Sequence, residues 1–199
     1  RRGWRRPPPG VGAGGPSGRD RAGLRTWRAA IASGEGRDPV DIVVEILQNG
    51  GASAVSFSMS EDDVRYAMQL PWVATASDGA VKIDDGSKPH PRSYGTFTRK
   101  LGRYALKEKV LPIEQAVRSS SGLPADILGM KDRGYLKPGL AADVVVFDPQ
   151  RLIDRATYKE PFLHSVGMQY VLVNGKLAID EGKPTKVLAG QALRKPKPQ

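Results

Sequence analysis

The sequence predicts an α/β fold that ends in a small β unit, and three observations carry this. From Asp38 to Lys109, helical and β-prone segments alternate in the order helix, strand, helix, strand, loop, helix, an alternation that parallel sheets and barrels produce. From Gly134 onward the texture changes to short apolar runs between turn residues, Gly134–Gly139 followed by Ala142–Asp148. Asn174-Gly175 then stands between the runs Val166–Val173 and Lys176–Ile179, the strongest short-range signal for a two-residue hairpin.

Residues 1–37 read differently from the rest. They hold nine Arg, nine Gly, four Pro, two acids and no Lys. No period of two or 3.6 runs through them, and such a composition buries too little apolar surface to offset ordering entropy. The segment is expected to be disordered. Two other readings stand beside it: an Arg-rich arm for RNA, or the product of a GC-rich gene read in the wrong frame or from a wrong start.

The first helix is expected from Asp38, an N-cap followed by Pro39 at N1. Val40, Val43, Ile46 and Leu47 fall on one face of it, and Asn49-Gly50-Gly51 stops it. Ser53–Met59 is a short β-prone run. Ser60-Glu61-Asp62-Asp63 resembles a capping box and opens a second helix carrying Val64, Ala67 and Met68. Pro71 breaks it, and Trp72–Ala76 reads as a second strand. A loop follows, and Phe97, Leu101, Tyr104 and Ala105 mark a third helical face that begins near Thr96. Two strands cannot form a covered sheet, so this piece reads as the end of a larger α/β domain, an incomplete domain by itself.

Further along, Pro112–Arg118 starts a short helix and Leu123–Leu128 supplies another turn or two. The domain boundaries expected are 1–37 for the Arg/Gly/Pro-rich segment, 38–133 for the α/β part, 134–192 for the β unit and 193–199 for a basic tail.

Charge and composition exclude several function classes. The net charge of +10 lies in the ends: residues 1–37 carry a surplus of seven, Leu193–Gln199 a surplus of three, and 38–192 hold 19 bases against 19 acids. The body has no basic stripe, and no RRM, KH or zinc motif is visible, so no nucleic-acid partner is expected. The absence of Cys rules out disulfides and thiolate chemistry. No apolar run approaches the roughly 20 residues that span a bilayer, so no membrane partner is expected, and with no secretory h-region near Arg1 the expected location is cytoplasmic.

The stretch Pro71–Arg99 is the most informative. It carries Ser77-Asp78-Gly79 at the end of an expected strand and His90-Pro91-Arg92 in the loop that follows. In βα architectures catalytic groups sit where a strand hands over to its loop. Asp78 is therefore a candidate base or metal ligand, and Arg92 a candidate anion clamp. The local pattern leaves open that Asp78 only forms a turn before Gly79 and that Arg92 is a solvated charge.

Several segments resemble the C-terminal part of the amidohydrolase superfamily, closest to its D-aminoacylase (N-acyl-D-amino-acid deacylase) group. They are SFSMSEDDV at 56–64, WVATASDG at 72–79, HPRSYGTFTRKLG at 90–102, SSSGLPADILGMKDRGYLKPGLAADVVVFD at 119–148 and PFLHSVGMQYVLVNGK at 161–176. The GxLxPGxxAD-VVVFD portion is common to many amidohydrolases. The combination of SDG with HPR-x-x-GTF is much more specific for the deacylase group.

The resemblance implies a metal-dependent (β/α)8 barrel whose last βα units lie in 38–133, with Ser53–Met59 as strand seven and Trp72–Asp78 as strand eight. Gly134–Gly190 would be the C-terminal part of a small β-sandwich. It implies a hydrolase of carbon–nitrogen bonds in linear amides, N-acyl-D-amino acid and water giving D-amino acid and carboxylate. Zinc would polarise the scissile carbonyl and activate water. Asp78 would shuttle the water's proton to the leaving amine and possess the position of a metal ligand. Arg92 would hold the α-carboxylate of a small N-acyl amino acid, with His90 lining the same loop.

The chain also departs from the family pattern. Its two histidines, His90 and His164, have neither HxH nor i,i+4 spacing, so neither forms a metal site. His90 is expected to shape the loop, and His164 to be structural. Met59 is expected in the core. The loop Ala80–Lys88 is a few residues longer than the family pattern. Zinc belongs to the parent family and is not expected on this chain alone, which is expected to be inactive by itself. A cyclic-amide hydrolase of the hydantoinase or dihydroorotase type and a non-enzymatic basic-arm nucleic-acid binder are the alternative functions.

Overall fold

The computed structural model describes residues 36–49, 59–84 and 88–194. The Arg-rich segment up to Glu35, the β-prone run before Met59 and the last five residues of the basic tail lie outside them. The chain divides into two compact units, Arg1–Val64 and Arg65–Gln199.

In the first unit, helix α1 runs Pro39–Gln48. Asp38 caps it as the sequence predicts, its Oδ1 accepting the Val40 N–H at 2.7 Å, and Pro39 starts it with φ already set. Asn49 ends it by donating its side-chain amide to the Glu45 carbonyl at 2.8 Å. Helix α2, Glu61–Gln69, begins in the first unit and runs into the second from Arg65 on; it opens on Ser60, whose Oγ accepts the Asp63 N–H at 3.0 Å. Met59, just before it, is 74% exposed, which corrects the core placement: it precedes the amphipathic face of α2 and packs into no core.

The second unit is built on helices. Helix α3, Arg92–Thr98, continues directly into a π-helix, Arg99–Lys107. Within the wider winding, Glu108 N–H reaches back to Arg103 O at 2.8 Å. Two turns of π-helix are uncommon, since i→i+5 winding usually appears as a single bulge. Here it buries Lys100, Leu101, Gly102, Tyr104 and Ala105 together. Helices α4, Ile113–Ser120, and α5, Gly122–Leu128, follow. Gly129 ends α5 with φ +69°, the left-handed cap that glycine adopts without strain.

The sheet is four-stranded and antiparallel, ordered β1 (Val144–Phe147), β2 (Met168–Val173), β3 (Lys176–Asp180), β4 (Lys183–Pro184). Val145 faces Val171, and Val171 faces Ile179. Asn174 and Gly175 take φ of +48° and +76°, the two positive values a type I′ turn requires. Asn174 also donates its side-chain amide to Ala189 O at 2.8 Å.

Helices and sheet share one core. Leu101, Tyr104, Ala105, Leu111, Ala116 and Leu152 form its centre, with Met68, Phe147 and Met168 packed against it. Leu152 lies in the β1–β2 connection, between two glycines. A Cβ on Gly102 would sit 2.1 Å from Leu152 O, and one on Gly167 2.5 Å from Leu152 N. Only bare backbone fits at those approaches.

The expected strand Trp72–Ala76 is not a ladder strand. Residues 73–80 run without regular structure, and the only ladder among the described residues is the antiparallel sheet. β-branched and aromatic residues there have propensity but no neighbouring strand among the described residues to pair with, and pairing is what makes propensity a strand. Trp72 is 69% exposed. The third helix begins at Arg92, four residues before Thr96, because Pro91 sets the N-terminal backbone and the Tyr94 and Gly95 N–H groups both reach Pro91 O at 3.0 Å.

Candidate functional site

The segment 73–79 is held at both ends. Near its start, the Thr75 N–H donates to Ser119 O at 2.7 Å. The ammonium of Lys100 donates to Thr75 Oγ1, and to Ser119 Oγ at 2.6 Å. At its end, the Gly79 N–H donates to Ser77 Oγ at 3.1 Å, and a Cβ on Gly79 would lie 3.0 Å from the Ser93 Cα of α3. Between them Asp78 stands in the left-handed region at φ +45°, a conformation that a short polar side chain tolerates.

Asp78 and Arg92 come together. Arg92, the first residue of α3, places a guanidinium nitrogen 3.0 Å from Asp78 Oδ2, with side-chain exposures of 44% and 87%. His90 lies beneath Arg92: its Nδ1 accepts the Arg92 N–H at 3.0 Å. That bond assigns the proton to Nε2, which then donates to the Tyr158 hydroxyl at 3.3 Å. The two rings meet edge to face, centroids 5.1 Å apart. Burial lowers the His90 pKa from its ordinary value, and the Arg92 charge lowers it further. Burial raises that of Tyr158, against the opposing charges of Arg99 and Arg92.

His164 sits elsewhere, against the ring of Tyr94 at 5.4 Å. Tyr94 also packs on Phe162 at 5.7 Å and donates its hydroxyl to Lys82 O at 2.7 Å, so His164 belongs to the packing that fixes α3 on the 161–165 connection. Arg99, one turn further on, pairs with Asp154 at 3.0 Å.

Two residues of this neighbourhood carried no sequence signal. Lys100 follows Arg99 and precedes Arg103 and reads as a surface charge, yet it is 3% exposed and burial lowers its pKa to about 8. Tyr158 lies 66 residues beyond Arg92 in a polar stretch, and only the fold brings it to His90.

The arrangement can bind an anion and move a proton. Asp78 is an exposed carboxylate, and Arg92 already grips a carboxylate. A zinc ion needs three or four N, O or S ligands, and among the described residues no three His, Cys, Asp or Glu side chains gather. Asp78 with Arg92 beside it does not fit the ion alone. No helix among the described residues is long and apolar enough to cross a membrane.

Comparison with known proteins gives a consistent result. The model of the amidohydrolase family matches residues 27–179. N-acyl-D-glutamate deacylase of Alcaligenes xylosoxydans xylosoxydans is 40% identical over 167 residues, covering 84% of this chain and 33% of that protein. The crystal structure of a D-aminoacylase superposes with a TM-score of 0.74 at 35% identity, over 83% of this chain and 34% of the other. The N-acyl-D-glutamate deacylase of Bordetella bronchiseptica, solved with zinc and a phosphonate mimic of the tetrahedral intermediate, superposes with a TM-score of 0.66 at 41% identity, over 82% and 34%. The chain spans about a third of the length of the curated relatives it matches.

Proposed function

Because the chain belongs to the amidohydrolase family, we propose that its residues serve the hydrolysis of a linear amide, the C–N bond of an N-acyl-D-amino acid. The observation that carries this reading is the approach of Asp78 and Arg92 to 3.0 Å with both side chains exposed, in a chain similar to two such deacylases. In the same reading, 38–133 forms the last βα units of a (β/α)8 barrel, and 134–192 the C-terminal share of a β-sandwich.

Arg92 takes the substrate's α-carboxylate. A guanidinium offers paired N–H groups that match a carboxylate's two oxygens. Its hold on Asp78 is the same kind of bond, and the substrate carboxylate replaces it. Asp78, released, takes a proton from the water that adds to the acyl carbon. As the C–N bond breaks, that proton passes to the departing amine, leaving a free carboxylic acid and a free amino acid. His90 supports Arg92 through its backbone and shapes the loop. The zinc of the Bordetella relative finds no ligand set among the described residues, so no step is assigned to it here.

The test is a graft. Residues 38–194 replace the corresponding third of the Alcaligenes D-aminoacylase, and release of free amino acid is followed from N-acetyl-D-amino acids, their L-enantiomers, a hydantoin and dihydroorotate. The expected result is hydrolysis of the linear D-substrates, lost with Asp78→Asn. A folded, metal-loaded graft that opens only rings, or that is unaffected by Asp78→Asn, overturns the reading. The 199-residue chain alone is expected to release no amino acid.

A further inference from the structure

Lys100 has a task that the proposed chemistry does not use. It is 3% exposed, and a buried ammonium is costly unless it is fully bonded. Its bonds run to two hydroxyls, Thr75 Oγ1 and Ser119 Oγ, and among the described residues no carboxylate pairs with it. Ser119 passes the chain on, donating its own hydroxyl to Gln115 O at 2.6 Å. The Thr75 N–H closes the loop on Ser119 O at 2.7 Å. One ammonium thus ties together the π-helix, the C-terminal turn of α4 and the unpaired segment 73–76.

The place of that tie matters more than its strength. Among the described residues the segment has no ladder to hold its register, and a slip of one residue in an extended chain turns every side chain to the other face. Asp78 is three residues from Thr75, at most about 10 Å along the chain, and among the described residues its carboxylate meets only Arg92. Its position is therefore inherited from upstream. We propose that Lys100 is a positioning residue: by pinning Thr75 to Ser119 it sets the register of 73–76, and with it the place where Asp78 stands. The inference rests on the reading of Asp78 as the proton-transferring carboxylate.

The experiment compares the 199-residue chain with Lys100→Met, Thr75→Val and the double variant by NMR and thermal unfolding. Three quantities are read: amide exchange at Thr75 against Val171 in β2, the Asp78 carboxyl 13C resonance, and the global midpoint. The expected result for Lys100→Met is exchange at Thr75 faster by about tenfold or more relative to Val171, with the Asp78 resonance displaced and the midpoint unchanged or raised. Thr75→Val, which cuts the same tie from the other end, gives the same displacement, and the double variant adds nothing further. Should Lys100→Met fail to fold, Thr75→Val alone decides. Equal acceleration at Thr75 and Val171, or an unmoved Asp78 resonance, overturns the inference. None of these readouts needs turnover. A graft that stays active while Lys100→Met leaves the Asp78 resonance unmoved rejects the positioning role and leaves the deacylase reading standing. An inactive graft with the expected displacements does the reverse.

Discussion

The carboxylate of Asp78 and the guanidinium of Arg92, fourteen positions apart in sequence, meet at 3.0 Å on an open surface. An exposed pair of this kind contributes little to folding, about 1 kcal/mol or less. Arg92→Ala is therefore expected to leave the denaturant midpoint nearly unchanged. In the grafted enzyme the same substitution is expected to raise KM for N-acyl amino acids by about tenfold or more, since a lost charged hydrogen bond is worth about 1.5–3 kcal/mol. Steady-state kinetics beside a urea titration checks both halves.

His90 should titrate below the ordinary histidine value, because burial and the neighbouring Arg92 both disfavour its cation. The sign follows. On acidification the unfolded chain takes up the proton before the folded one, so stability present above the unfolded value is lost as pH falls from there through the lower folded value. Protonation at Nδ1 also ends its acceptance of the Arg92 N–H. An imidazole NMR titration of Arg92→Ala should show the His90 midpoint moved upward, with the burial part of the depression remaining. A midpoint unmoved by that substitution would rule out the electrostatic link.

Lys100 shows a dependence of the same sign in an alkaline window. Its folded pKa of about 8 lies below the ordinary lysine value of 10.5. Below pH 8 both states are charged and the full burial cost is present. Between about 8 and 10.5 the unfolded state binds more protons, so stability rises with pH in that window, by on the order of 3 kcal/mol at most. The neutral amine keeps two N–H groups, enough for both hydroxyls. Denaturation of wild type and Lys100→Met at pH 7 and pH 10 should show the gap between them narrowing at the higher pH.

Gly102→Ala should be among the most damaging small substitutions. Its Cβ would meet the Leu152 carbonyl at 2.1 Å, and neither backbone can retreat without moving the core. Overpacking of this kind costs about 1–3 kcal/mol and occasionally more. Gly167→Ala combines the same crowding with φ +91°. Calorimetry of both, with Gly129→Ala as the uncrowded comparison, tests whether crowding or φ dominates.

What could be read in advance follows the range of the forces involved. The Asp38 cap and the Asn174-Gly175 turn are settled by neighbours in sequence, and both were legible. The pairing of Asp78 with Arg92 was anticipated only as two residues of one loop. The Trp72–Ala76 strand misled because its residues have β propensity without a partner strand among the described residues, and a partner is not a local property. Lys100 and Tyr158 were invisible for the same reason: their environments are made by Thr75 and Ser119 in one case and by His90 in the other. The π-winding of Arg99–Lys107 leaves its apolar residues at spacings that an α-helix also produces.

The grip of Gly102 and Gly167 on Leu152 has a mechanical consequence. Helical and sheet halves of the second unit share one core, Leu101, Tyr104 and Ala116 from one and Phe147, Leu152 and Met168 from the other. A protease cutting the exposed turn between Met130 and Asp143 would therefore sever the covalent link without releasing either piece. The two fragments should co-elute and melt together, and should reassociate when mixed after separation in denaturant.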